Sequence, residues 1–149
     1  SPLIESKCIL HSAEKDSITE AAIFQYKFDL NDKIESAHLQ LIADGQAKLF
    51  INDKYVDQVY VKRSGSLWLE QQRVKLIDVK KYLKVGINTL TVEAKNYKLK
   101  NACINLLGNI VTENGSIKIL TNEKWQSRET TNENWINAFV KINDRSEII

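Results

Sequence analysis

Between Ile23 and Leu30 the chain alternates: Phe24, Tyr26, Phe28 and Leu30 fall on one side of an extended backbone, Gln25, Lys27 and Asp29 on the other. Successive side chains of a strand point to opposite faces, so a period of two predicts a strand with one buried and one wet face. The rhythm returns at Ala37-Leu39-Leu41-Ala43, Leu49-Ile51, Leu90-Val92-Ala94, Ile104-Leu106 and Ile117-Ile119. Turn signals at Asp44-Gly45, Asn52-Asp53, Val85-Gly86 and Asn114-Gly115 lie between these runs. One-sided strands separated by such turns predict an all-β fold, an antiparallel β-sandwich. Only from Ile77 to Leu83 does the apolar spacing move toward three and four, which predicts a single short helical turn. The polar stretch from Thr121 to Asn134 reads as a long loop, followed by an apolar anchor, Trp135-Ile136-Asn137-Ala138-Phe139. No repeat or linker divides the chain, so the expectation is one sandwich domain over residues 1–149.

Composition bounds the function classes. Apolar residues at 43% and charged residues at 27% are those of a folding chain. A balance of 21 basic to 19 acidic residues gives a net charge of +2, too little to draw a polyanion by bulk attraction. No run approaches the roughly 18 apolar residues a membrane-crossing helix needs. Neither nucleic acid nor membrane is expected as a partner. The chain opens on Ser1-Pro2-Leu3 with no basic and apolar leader, and reads as a piece of a larger protein whose export signal lies elsewhere. Cys8 and Cys103 leave two readings. A bridge would close a loop near 100 residues, a gain of roughly 4–5 kcal/mol in the chain-entropy model, whereas two buried thiols suit the apolar alternating runs in which both sit. The second is the expectation.

Catalytic signatures are missing. The sequence has no Gly-x-Ser-x-Gly elbow, no phosphate-cradling glycine loop and no evident Cys–His pair. His11 and His38 stand 27 residues apart without metal-ligand spacing, and are expected to be structural or surface residues.

Two stretches carry a family resemblance. Ala37 to Gly45, followed by Lys48-Leu49-Phe50-Ile51-Asn52-Asp53-Lys54-Tyr55-Val56, resembles the strand, Asp-bearing turn and hairpin of the galactose-binding-like jelly-roll domains that accompany bacterial glycoside hydrolases. Ile77 to Ala94, with Gly86-Ile87-Asn88 entering a strand, is similar to their most recognisable segment, and Gly115 to Trp125 looks like the closing strand of accessory domains in α-L-rhamnosidase-like and β-galactosidase-like enzymes. The resemblance spans roughly residues 20–140. It implies a jelly-roll sandwich and a non-catalytic carbohydrate-binding or accessory domain. Its implied partners are an oligosaccharide or polysaccharide and an adjacent catalytic domain of the parent chain, in an extracellular or periplasmic setting. The alternative is a structural or protein-interaction sandwich with no sugar site. Gly86 and Asn88 are expected to shape a turn, and Trp125 to close the sandwich edge. Asp53 stands where such domains have Gly, so a longer or differently typed hairpin is expected there, and Asn122 stands where they more often have Asp.

A sugar needs an aromatic surface for its CH face and polar groups for its hydroxyls. The segment from Tyr60 to Glu70 interleaves both around a Ser-Gly-Ser tip, and selects Trp68 as platform, Arg63 and Glu70 as hydrogen-bonding partners and Tyr60 beside them. The bland reading is that Trp68 opens a strand and packs inward. Asn96 and Tyr97, at a strand end, form a second candidate, with a solvated turn as the alternative. No cofactor is implied. Related domains often hold a structural calcium, which needs clustered oxygen ligands, and the Asp-bearing tips at 31–32, 44 and 52–53 form no dense acidic loop. Asn114-Gly115-Ser116 fits a glycosylation acceptor, but is read first as a turn.

Overall fold

The computed structural model describes residues 7–11, 18–63, 70–72, 75–96, 100–129, 131 and 133–141, without the side chains of 61–63 and 70–72. Among these residues the chain forms thirteen strands: β1 (Ile9–Leu10), β2 (Ala21–Leu30), β3 (Ile34–Asp44), β4 (Gln46–Ile51), β5 (Lys54–Arg63), β6 (Glu70–Gln72), β7 (Lys75–Asp78), β8 (Gly86–Lys95), β9 (Cys103–Thr112), β10 (Gly115–Leu120), β11 (Gln126–Arg128), β12 (Ile136–Asn137) and β13 (Phe139–Val140). A short 3-10 turn at Lys80–Tyr82 falls where the spacing predicts a helical turn.

Every strand pairing is antiparallel. Sheet I runs β13-β1-β9-β3-β7, with β10 also paired to β9, and sheet II runs β12-β11-β2-β8-β4-β5-β6. The chain passes back and forth between the sheets, from β1 to β2, β2 to β3, β3 to β4, β6 to β7, β7 to β8 and β8 to β9, which is the jelly-roll path through an antiparallel β-sandwich. Ala22, Phe24, Leu30, Leu49, Ile51, Leu90 and Val92 from sheet II meet Ile9, Leu39, Leu41, Ile104, Leu106 and Ile110 from sheet I in one core. Most of the alternating positions picked out by periodicity are therefore the inward-facing ones, while Ile117 on β10 is exposed. At roughly 25 cal/mol per Å2 of apolar surface removed from water, this layer supplies most of the drive to fold.

The lower end of the sandwich is held by two asparagines. Asn52 and Asp53 form a two-residue hairpin loop between β4 and β5, with φ of 50° and 67°. Both lie in the left-handed region that a tight primed turn requires, so the hairpin is short, contrary to the longer or differently typed one expected from Asp53. The reason is that Asx residues tolerate this region and that Asn52 is tied on every side: Nδ2 donates to Tyr82 O at 3.0 Å and Asn88 Oδ1 at 2.9 Å, and Oδ1 accepts from Thr89 N at 2.9 Å. Asn88, fully buried, donates from Nδ2 to Lys84 O at 2.7 Å and Gly86 O at 3.1 Å and accepts from Lys84 N at 3.0 Å. Gly86, at φ 106°, turns the chain into β8 in a conformation other residues rarely adopt. Asn88→Ala would remove the partner of the Lys84 N–H and C=O and of Asn52 Nδ2 and is expected to cost about 2–3 kcal/mol. A urea midpoint unchanged within error would show that this network contributes nothing.

Cys8 and Cys103 are joined in a disulfide across 95 positions of sequence, their Cα atoms 5.9 Å apart. This corrects the expectation of two free thiols. The apolar alternation around each is real, but β1 lies beside the start of β9, so Cys8, just before β1, and Cys103, the first residue of β9, come within the Cα separation a disulfide spans.

Two further readings are revised. The stretch 121–134 is not one loop, because β11 forms within it and pairs with β2 through Gln126↔Gln25 and Arg128↔Ile23. Of the anchor at 135–139, Ala138 is buried, while Ile136 and Phe139 remain exposed on short edge strands. No described helix is long and apolar enough to cross a membrane.

Candidate functional site

Strand direction decides which loops meet. β2, β4, β6 and β9 begin, and β1, β3, β5, β8 and β11 finish, at one end of the sandwich, here the upper end. The described residues that flank the β3–β4, β5–β6 and β8–β9 connections therefore all lie there. So do the described parts of the two candidate segments, Tyr60 to Arg63 with Glu70, and Asn96. Tyr60 pairs with Gln46, and Gln46 pairs with Lys95, the residue before Asn96. Two strand spacings separate Tyr60 from Lys95, about 10 Å.

Tyr60 is 52% exposed. Arg63 and Glu70 are cross-strand partners at the β5–β6 end, directly opposite each other in register. Trp68 and Tyr97 lie outside the described residues. Asn96 is buried, and its Nδ2 donates to Asn101 O at 2.9 Å while its backbone N–H donates to Glu20 O at 2.7 Å. It holds the start and finish of the β8–β9 connection together.

A hydrogen-bonded floor lies under this end. Thr19 N donates to Asn101 Oδ1 at 2.7 Å, Ala102 N donates to Thr19 O at 2.8 Å, and Thr19 Oγ1 donates to Glu129 Oε1 at 3.4 Å. The segment before β2, the β8–β9 connection and the residue after β11 thus share one set of bonds. Gly45, the one-residue link between β3 and β4, completes the floor at φ 109°. A Cβ there would fall 2.3 Å from Lys95 O and 2.9 Å from Asn96 Cα, so the end of β8 can lie against the crossover only because the link is glycine.

Beside the loops, on the outer face of sheet II, is a groove of about 250 Å3 floored by Ala21 and Ile23. None of its residues was selected from the sequence, because outward positions of a half-wet strand carry no periodic signal. On the far side of β11, the Arg128 guanidinium lies 4.1 Å from the centre of the Trp135 ring. His11 Nδ1 lies 2.8 Å from Ser127 Oγ, a structural contact, and His38 is exposed on β3. Among the described residues no three His, Cys, Asp or Glu side chains are grouped to hold a metal ion. Asn114 sits in the β9–β10 turn, where its Nδ2 donates to Asp32 Oδ1 at 2.9 Å.

No protein-family model matches the sequence, and no curated protein is recognisably similar to it. Solved structures do share its form. An α-L-rhamnosidase from Streptomyces avermitilis, solved with L-rhamnose, superposes on 91% of this chain with a TM-score of 0.74 and 22% identity. An α-L-rhamnosidase from Aspergillus terreus covers 97% of it with a TM-score of 0.73 and 16% identity. A lectin from Pleurotus ostreatus, solved with GalNAc, covers 94% of it with a TM-score of 0.70 and 17% identity. The chain spans 14% and 22% of the two rhamnosidases and 42% of the lectin. It therefore has the jelly-roll fold of a domain found within α-L-rhamnosidases and within a sugar-binding lectin, as the sequence resemblance implies.

Proposed function

We propose that the chain is a non-catalytic carbohydrate-binding domain, a single sandwich working as an accessory to a glycoside hydrolase-like parent, and that it holds saccharide weakly through its upper loops. The observation that supports this reading is that Tyr60, the Arg63–Glu70 pair and Asn96, the described members of the candidate segments, lie at one end of the sandwich over part-buried hydrogen bonds. Trp68 and Tyr97 supply stacking surfaces, Arg63 and Glu70 supply donor and acceptor, Tyr60 flanks them, and Asn96 positions the segment that carries Tyr97. The fold shared with rhamnosidase domains and a lectin supports the same reading. The disulfide agrees with an extracellular or periplasmic location, since such bonds persist in oxidising compartments.

One stacking contact and a few hydrogen bonds, each about 1 kcal/mol net and set against the entropy of association, give affinity near millimolar. Tethered to a catalytic domain, such a site still raises local substrate concentration. Isothermal titration against L-rhamnose, GalNAc and a panel of plant and host oligosaccharides tests the reading. Binding by the unmodified protein, with at least a tenfold loss in Trp68→Ala, is the expected result. Silence across the panel would refute it.

One observation favours the second reading, a docking domain without a sugar site. Leu76, 64% exposed, lies in a row with Gln40, Leu107 and Leu120 across the outer face of sheet I. Three leucines at wet positions of one sheet suit contact with a neighbouring domain.

A further inference from the structure

The groove on the outer face of sheet II is built from unlike parts. Its floor, Ala21 and Ile23 on β2, is low and aliphatic, because these outward positions carry short or apolar side chains between strands bearing long ones. Its wall on the β8 and β4 side is charged. Lys48 stands opposite Glu93 in register, and Lys95 stands opposite Gln46 one pair higher. Glu129 borders the groove beyond β2 and is fixed by Thr19 Oγ1. The side chains of Lys48, Glu93 and Lys95 make no hydrogen bond or ion pair with any described residue, although Lys48 and Glu93 are cross-strand neighbours.

This lining selects by exclusion. An anion would meet Glu93 and Glu129, and a cation would meet Lys48 and Lys95. An apolar ligand would desolvate four charges with nothing to offer them. A neutral polyhydroxylated ring suits every part, because each hydroxyl both donates and accepts, so it can give to a carboxylate and take from an ammonium, while its CH face rests on Ala21 and Ile23. An open groove of about 250 Å3 has room for a sugar ring.

The geometry points to this groove as a subsite for a neutral sugar ring, bordered at the upper end by the row that holds Tyr60, so that a bound saccharide rests on the outer face of sheet II. The inference rests on the carbohydrate-binding reading and extends it. Lys95 and Gln46 link the two regions, since they share a cross-strand row with Tyr60 and border the groove.

Titrating the 15N-labelled protein with L-rhamnose and, separately, GalNAc reads the site residue by residue. Saturable shifts at Ala21, Ile23, Glu93 and Lys95 are expected with at least one of them. Ala21→Trp, which fills the groove, is expected to raise the dissociation constant at least tenfold at an unchanged melting temperature. Glu93→Gln and Lys95→Gln, both on the exposed face and independent of packing, are each expected to raise it several-fold, and they carry the test should Ala21→Trp disturb the fold. If the groove variants bind like the unmodified protein while Trp68→Ala loses binding, the subsite is wrong and the loop reading stands. Absence of binding to either sugar and to the wider panel would overturn both.

Discussion

Replacing both cysteines, Cys8→Ala together with Cys103→Ala, is expected to lower the unfolding free energy by about 4–5 kcal/mol. The bond spans 95 positions, so it removes nearly as much freedom from the unfolded chain as any single bridge in a domain of this size could. Its local effect is as large. β1 touches β9 through one register pair, Ile9↔Ile104, and touches β13 through two, Ile9↔Val140 and Leu10↔Phe139. Two-residue strands have little hold of their own, and further anchors among the described residues are Lys7 N to Thr121 O, Lys141 N to Cys8 O, Thr121 Oγ1 to Lys7 O and the contact of His11 Nδ1 with Ser127 Oγ. Without the bond, β1 and β13 should fray together and open that edge of sheet I. For a chain of this length the change corresponds to a fall in melting temperature on the order of 10 °C or more. Dithiothreitol should bring the unmodified protein down to the level of the variant and leave the variant unmoved. Equal melting temperatures for oxidised and reduced protein would show that the bond does not stabilise the fold.

That bond also marks where sequence reading stops. The strands with clean alternation, β2, β3 and β8, were legible because each buries one face along most of its length: Phe24 and Leu30 inward, Ile23 and Gln25 outward. β5 was hard to see because its pairing with β4 shifts between Leu49 and Phe50, and such an irregularity breaks the period that would announce it. β11 gave no signal at all, since its inward residue is Ser127, fully buried but polar. The disulfide depends on the register of β1 against β9, which no local pattern encodes. A hairpin type can depend on distant residues too, as Asn52 shows by adopting a left-handed backbone under bonds from Asn88 and Thr89 more than thirty positions away.

Candidate site residues divide along the same line. Tyr60, Arg63, Trp68 and Glu70 stood out because aromatic and charged types crowd one stretch of sequence, and the strand order then brought Asn96 to the end where Tyr60 lies. The groove residues could not be chosen this way. Ala21 lines the groove as a small residue among longer ones, and Lys48 and Glu93 line it because they share a row across two strands, a property of register and not of spacing.

Trp125→Ala is the second change expected to be severe, at about 3–5 kcal/mol. Trp125 is fully buried where the chain leaves β10 in sheet I for β11 in sheet II. Its ring stacks on Tyr26 with centroids 5.3 Å apart, and its Nε1 donates to Leu120 O at 2.9 Å. Its backbone is engaged as well: Ala138 N donates to Trp125 O at 2.8 Å and Trp125 N to Asn122 O at 3.2 Å, so the residue joins β10, β11 and the segment leading into β13. Asn122 takes part through its backbone carbonyl and by accepting from Lys124 N, neither of which needs the charge of an Asp. Truncation to Ala removes the largest side chain of the core and leaves a void beside Tyr26, whereas Trp125→Phe keeps most of the bulk and loses the bond to Leu120, for a smaller cost of about 1–2 kcal/mol. Chemical denaturation followed by circular dichroism separates the two, and a loss below about 1 kcal/mol for the Ala variant would mean that the ring does not close the sandwich. The consequence reaches the site, because β11 is held to β2 by three register pairs and carries Arg128 and then Glu129 to the edge of the groove. In the Trp125→Ala protein, saccharide affinity should therefore fall at temperatures well below its melting point, ahead of any loss of the overall fold.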